Sequence, residues 1–170
     1  MRVIGIDPGL SATGFGIIDS NGTNNHTTIA YGTIKTSSKK DIPSRLQHIY
    51  RSLLQVLDEY LPVTAGVERI FVGKDPKNHL HMGEARGAIF LALKERDVEI
   101  HEFSALQVKK SITGYGGAQK SQVAYMVSRL LKIDGRPDEH ASDALAIAMA
   151  VMNQNYLQIR CGNNDRSTLR

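Results

Sequence analysis

Two short apolar runs in this chain each end on a carboxylate: RVIGI closes on Asp7, and VTAGV closes on Glu68. Runs of this kind, small or β-branched and without polar alternation, read as strands buried on both faces. They require a sheet with helices covering each side. A third acid, Asp143, lies near the start of an apolar, alanine-rich helix, with His140 one turn before it. Carboxylates at the ends of buried elements are costly unless something pairs with them, and a divalent cation is a natural partner. Gathered in one place, these residues would form an oxygen-rich, partly open metal site of the kind that cuts or transfers phosphodiesters.

The rest of the chain supplies the elements for such a sheet. Residues 2–7 read as a strand stopped by Asp-Pro-Gly, Thr13–Asp19 as its hairpin partner, and Thr27–Thr36 as a third strand after a turn at Asn21-Gly22. Leu46, Ile49, Tyr50, Leu53, Leu54 and Leu57 fall at helical spacing within Pro43–Tyr60. Val63–Ile70 is a fourth strand, Asn78–Arg96 a second helix and Val98–Glu102 a short fifth strand. Ser104 is placed to cap a helix running to about Ile112. A glycine loop, Gly114–Gly117, leads into a helix over Ala118–Leu131, and Pro137 opens a last helix ending near Asn155. Three antiparallel strands followed by alternating helices and strands predict a single α/β domain over 1–155. It is built on a five-stranded mixed sheet flanked by helices on both faces, with 156–170 as a polar, flexible tail.

Charge narrows the partner. The chain carries a net +4, and its basic residues are unevenly placed. Between Phe103 and Pro137 six of them (Lys109, Lys110, Lys120, Arg129, Lys132 and Arg136) face only Asp134, the footprint expected where a polyanion binds. The only cysteine, Cys161, cannot form an intrachain disulfide. The start MRVIGIDPG is too short in apolar residues for a secretory signal, and Ala144–Met152 is far below the roughly 18 residues that span a bilayer. A cytoplasmic protein that does not engage membranes is expected.

Each feature also has a plainer explanation. Asp-Pro-Gly is good turn chemistry, so the motif alone does not choose between turn and ligand for Asp7. Glu68 is harder to dismiss, because a central strand would bury it. His140 and Asp143, three apart, share a helix face, and Glu139 and Asp143, four apart, do so equally; spacing does not choose between His140 and Glu139. Asp138 and Glu139 can simply complement the helix dipole.

The order of these parts is informative: strand-end Asp, hairpin, parallel strand-end Glu, then Asp on a final helix. It resembles the RNase H-like nuclease and integrase superfamily. Within it, GIDPG, TGFGII, PSRLQHIY, VERIF, GEARGA, QVKKSITGYGGAQKSQV and DALAIA resemble the RuvC family of Holliday junction resolvases over nearly the whole chain. The resemblance implies that Asp7, Glu68 and Asp143 are metal-binding carboxylates and that the fourth catalytic position falls on His140, where relatives carry Asp or His. It implies that Phe71 contacts and unstacks bases at the junction centre, and that Lys109 and Lys120 lie near the scissile phosphate. It further implies two Mg²⁺ per site with Mn²⁺ able to substitute, and a homodimer acting on four-way junction DNA. The products would be 5′-phosphate and 3′-hydroxyl ends, and the partner a branch-migration helicase complex of the RuvA and RuvB type. An imidazole at position 140 suits Mn²⁺ better than Mg²⁺ and can also position or deprotonate a water.

Three other readings compete. GIDPGLSATG is similar to the phosphate-binding hairpin of actin-like kinases, but those folds need two such domains. GGAQKS approaches a Walker A loop, yet Gln119 stands where glycine is required. A DNA-binding module without catalysis conflicts with acidic groups that would repel phosphate unless a metal bridged them. An RNase H-like nuclease acting on another branched or hybrid substrate is excluded by the family resemblance alone.

Overall fold

The central strand β1 (Arg2–Asp7) organises the molecule because its two faces carry different residues. In the computed structural model, which describes residues 1–20, 26–70, 76–135 and 137–164, Ile4 and Ile6 point into one core and Val3 into another. β1 pairs antiparallel with β2 (Ala12–Ser20), which pairs antiparallel with β3 (His26–Lys35). On its other side β1 runs parallel to β4 (Thr64–Glu68), and β4 runs parallel to β5 (Glu99–Phe103). The order β3-β2-β1-β4-β5 is the five-stranded mixed sheet expected from the sequence.

The Ile4–Ile6 face packs under α1 (Ile42–Tyr60) and α2 (Pro76–Glu95), through Ile49, Leu53, Leu57, Ile89 and Leu93. The Val3 face packs under α3 (Ala105–Thr113), α4 (Lys120–Leu130) and α5 (Glu139–Asn164), through Val108, Ile112, Val123, Val127, Leu145 and Ile147. Each such side chain, fully buried, contributes about 1.5–3 kcal/mol of transfer free energy. Helices therefore cover both faces.

Glycine decides how close α5 comes. Gly5 on β1 is paired with Gly16 on β2 and with Gly66 on β4, so a glycine row crosses three strands. A Cβ at Gly5 would run into the Ala144 carbonyl and the Ala148 amide, and one at Gly14 into the His140 carbonyl. The backbone of α5 rests directly on the sheet, and its first turns lie beside the end of β1.

Helix starts follow their capping chemistry. The Asp41 carboxylate accepts from the Ser44 N–H at 3.2 Å, and Ser104 and Gln107 form a reciprocal capping box. The last helix begins at Glu139, two residues after Pro137. Asp138 Oδ1 accepts the Ala141 N–H at 2.9 Å, making Asp138 the cap. Thr33 Oγ1 donates to the same carboxylate at 2.7 Å, which ties this end of α5 to β3. The expected end of that helix near Asn155 is wrong: α5 continues to Asn164. β4 is also shorter than expected, ending on Glu68 itself. The Asn21-Gly22 turn lies outside the described residues.

Candidate active site

One residue in each strand separates the glycine row from the site. Gly5 and Asp7 are two apart on β1, and Gly66 and Glu68 are two apart on β4, so both acids leave the sheet on the face that α5 covers. Asp7 is paired in register with Gly14, over which the His140 backbone lies. The close approach permitted by glycine thus brings His140 and Asp143 to the ends of β1 and β4. All four side chains line one cavity of about 430 Å³, together with Lys109 from α3 and Lys120 from the first position of α4.

Electrostatics in this cavity are strained towards neutralisation. Burial pushes the Glu68 carboxyl up to about 7, helped by the negative charges of Asp7 and Asp143. Burial also raises Asp7, opposed mainly by its hydrogen bond with His140. His140 Nδ1 lies 2.8 Å from Asp7 Oδ2. Lys120 Nζ donates to Glu139 Oε1 at 2.8 Å and to Asp143 Oδ2 at 3.0 Å. These bonds, to Glu139 first, raise the lysine above its ordinary value.

Crowded carboxylates with one imidazole are a donor set suited to a hard divalent cation. Among the described residues, however, no three His, Cys, Asp or Glu side chains are grouped to hold a metal ion as they stand. Asp7 is engaged by His140 and Asp143 by Lys120, so the donor types fit a cation while their present pairings are internal.

Comparison with known proteins decides the family. The family model described as "Crossover junction endodeoxyribonuclease RuvC" matches residues 3–151. The chain belongs to the RuvC family. A RuvC from Janthinobacterium sp. (strain Marseille) is 48% identical over 149 residues, covering 88% of this chain and 82% of the relative. The structure of Thermus thermophilus RuvC in complex with Holliday junction substrate superposes with a TM-score of 0.87 at 31% identity, covering 92% of this chain and 96% of that one. The yeast mitochondrial Holliday junction resolvase shares the fold, with a TM-score of 0.72 at 14% identity and coverage of 98% and 84%. The fold is the RNase H-like one.

Of the RuvC-type site residues expected from the sequence, Asp7, Glu68, His140, Asp143, Lys109 and Lys120 share one cavity, and Phe71 lies outside the described residues. Between His140 and Glu139, His140 is the one that lines the cavity and contacts Asp7; Glu139 faces Lys120.

Sequence reasoning passed over two basic groups that line the same cavity. His81, on α2, is held by Glu84 at 2.9 Å. Arg45, on α1, is only 9% exposed. Its signal was available, because Arg45 falls on the stripe of Ile49, Leu53 and Leu57 at fourfold spacing. A cation on the buried face of a helix needs a reason.

Proposed function

We propose that this protein is a crossover junction endodeoxyribonuclease that resolves four-way DNA junctions by phosphodiester hydrolysis. Membership of the RuvC family and the similarity to a RuvC bound to Holliday junction substrate support the substrate class. The observation that carries the chemistry is the convergence of Asp7, Glu68 and Asp143 on one cavity, with Glu68 pushed up to about 7 by burial and by the other two. A site that gathers three carboxylates at the ends of buried elements is poised for divalent cations, and the family is one of metal-dependent nucleases.

The finer assignment is that Asp7, Glu68, His140 and Asp143 hold two Mg²⁺, with Mn²⁺ able to substitute. Bound there, the cations supply an activated water and stabilisation of the leaving 3′ oxygen. The protein's own groups do the positioning. His140 holds the Asp7 carboxylate through Nδ1, which leaves Nε2 as the ring nitrogen that would accept a proton from an attacking water. Lys120, at the first position of α4, places a cation at a helix N-terminus, a favourable place for the scissile phosphate. Lys109 adds positive charge on the opposite element of the same cavity. Phe71, just past Glu68 in sequence, is proposed to unstack bases at the junction centre.

A four-way junction has two-fold symmetry, so paired nicks call for a two-fold homodimer. The α2 helix is the proposed contact: Gly83 and Gly87 have open space where a Cβ would stand, and Leu80 and Leu91 are exposed. A RuvA- and RuvB-type branch-migration complex is the proposed partner. The domain proposed for this activity spans 1–155, followed by the 156–170 tail. Among the described residues no helix is long and apolar enough to cross a membrane, and the cytoplasm is the proposed location.

The deciding experiment is cleavage of an end-labelled four-way junction beside linear duplex of the same sequence, with Mg²⁺, Mn²⁺ or EDTA. Paired, symmetric, metal-dependent nicks confined to the junction are expected. Equal cutting of linear duplex, or cutting in EDTA, would overturn the proposal.

A further inference from the structure

Arg45 is the buried polar group that the cleavage chemistry leaves unexplained. Its Nε donates to Thr36 Oγ1 at 2.9 Å, and its Nη2 donates to Ser11 Oγ at 3.0 Å. Both acceptors are neutral hydroxyls, and among the described residues no carboxylate forms an ion pair with the guanidinium. A guanidinium stays charged at any relevant pH, and a buried charge without a counter-charge is strongly unfavourable. The site asks for an anion.

The surroundings fit that demand. Arg45 lines the cavity of the carboxylates and also a second, smaller cavity of about 200 Å³. The second cavity is lined by Lys35, Thr36, Ser37, Lys40, Arg45 and His48, with no acid among them. Asp41 and Asp138, acids on neighbouring segments, are committed elsewhere. Asp41 accepts from the α1 amide of Ser44. Asp138 accepts from Thr33 and from the Ala141 amide, although Lys35 lies close enough to help hold its carboxyl down. The walls are pinned to the turn that follows the catalytic strand. Thr36 Oγ1 donates to the Leu10 carbonyl at 2.6 Å, and the Thr36 N–H donates to the Ser11 carbonyl at 3.0 Å. Leu10 and Ser11 belong to the β1–β2 turn that follows Asp7.

We propose that this basic pocket is a second phosphate subsite, which takes a backbone phosphate of the DNA strand whose scissile phosphate lies at the carboxylates, with Arg45 as the shared wall between the two. The assignment rests on the reading of the larger cavity as a DNA-cutting site. It goes further in stating where the strand continues and which residues fix its register. Arg45 holds the Ser11 turn and the Thr36 wall in a fixed relation, so the distance between the two phosphate positions is built into the fold.

The test is equilibrium binding of a four-way junction in EDTA across a series of salt concentrations, for the wild-type protein, Lys40→Gln, Lys35→Gln and Lys39→Gln. Lys39 is exposed on the same turn but does not line the pocket, so its substitution removes an equal charge from outside the subsite. Loss of one phosphate contact should flatten the slope of log K against log[salt] by about 0.9 and weaken binding several-fold near 0.1 M salt. That loss is expected for Lys40→Gln and Lys35→Gln, with the Lys39→Gln slope unchanged. Arg45→Gln should lose the same contact, but its burial puts folding at risk, so the exposed lysines carry the test. Equal effects of Lys39→Gln and Lys40→Gln would reduce the pocket to a diffuse field and overturn the subsite. Unchanged slopes in both pocket variants would do the same. A wild-type protein with no preference for the junction over linear duplex would instead overturn the functional reading, and the subsite with it.

Discussion

The carboxylate cavity and the basic pocket meet at Arg45 and differ in make-up: the first sets three carboxylates among cations, and the second is lined by basic groups with no acid. In the first, burial, helped by the charges of Asp7 and Asp143, pushes the Glu68 carboxyl up to about 7. In the second, the buried guanidinium bonds only to hydroxyls, and no acid lines the pocket. A DNA strand can satisfy the basic pocket directly, but it can approach the carboxylates only when cations stand between. The contrast separates binding from cutting: one region should give affinity without metal, and the other should give chemistry only with it.

The strongest way to break that separation is Asp7→Asn. It removes the acid that His140 engages while leaving the basic pocket untouched. Cleavage of the junction in Mg²⁺ should fall by roughly 10³-fold or more, the several kcal/mol expected for loss of metal-assisted stabilisation. Junction affinity in EDTA should hold or rise, because a charge that repels phosphate has gone. Parallel loss of affinity and cleavage in single-turnover assays would show that the two regions do not divide the labour.

Lys120→Met probes the cation that bonds to Asp143 in the acidic region. Lys120 now bonds to Glu139 and Asp143, and its charge is among the influences that hold Glu68 down. If Lys120 aids the reacting phosphate, cleavage at saturating metal should fall about 10²-fold, the scale of losing one donor to a developing charge. If it serves only as a counter-ion to Asp143, saturating metal would replace it and the rate would be restored. A metal titration of the single-turnover rate distinguishes the two.

How much of this was legible in the sequence depended on whether the signal was local. Strand-end acids after apolar runs, the Ser104 cap and the α1 stripe are local patterns, and each appears where the pattern puts it. The glycine row that brings α5 onto the sheet was not read, because Gly5, Gly16 and Gly66 become neighbours only once strand register is set. The choice between His140 and Glu139 was undecidable for a similar reason: both lie within helical reach of Asp143, and only the rotation of α5 about its axis turns one towards Asp7 and the other towards Lys120. Arg45 was visible on a buried stripe, but its meaning came from Thr36 and Ser11, residues on other elements.

The smallest expected effect tests the carboxylate crowding itself. Glu68 has its folded pKa raised from 4.5 to about 7, chiefly by burial. A carboxyl raised in the folded state favours folding below its unfolded pKa, where it is protonated in both states. That contribution is lost as pH climbs through about 7, because the folded protein must then carry a charge it disfavours. In chelator, the wild-type melting temperature should therefore decline across the window from 4.5 to about 7. Glu68→Gln, neutral throughout, should lack that part of the decline, matching the wild type at the acidic end and melting a few degrees higher above the window. Divalent cation should reverse the order, since it stabilises only the protein that still holds its ligand. Melting curves at several pH values, with and without Mg²⁺, give the answer. Parallel profiles for the two proteins would mean that Glu68 is not under strain, and the acidic region would lose its claim to be a site that waits for a cation.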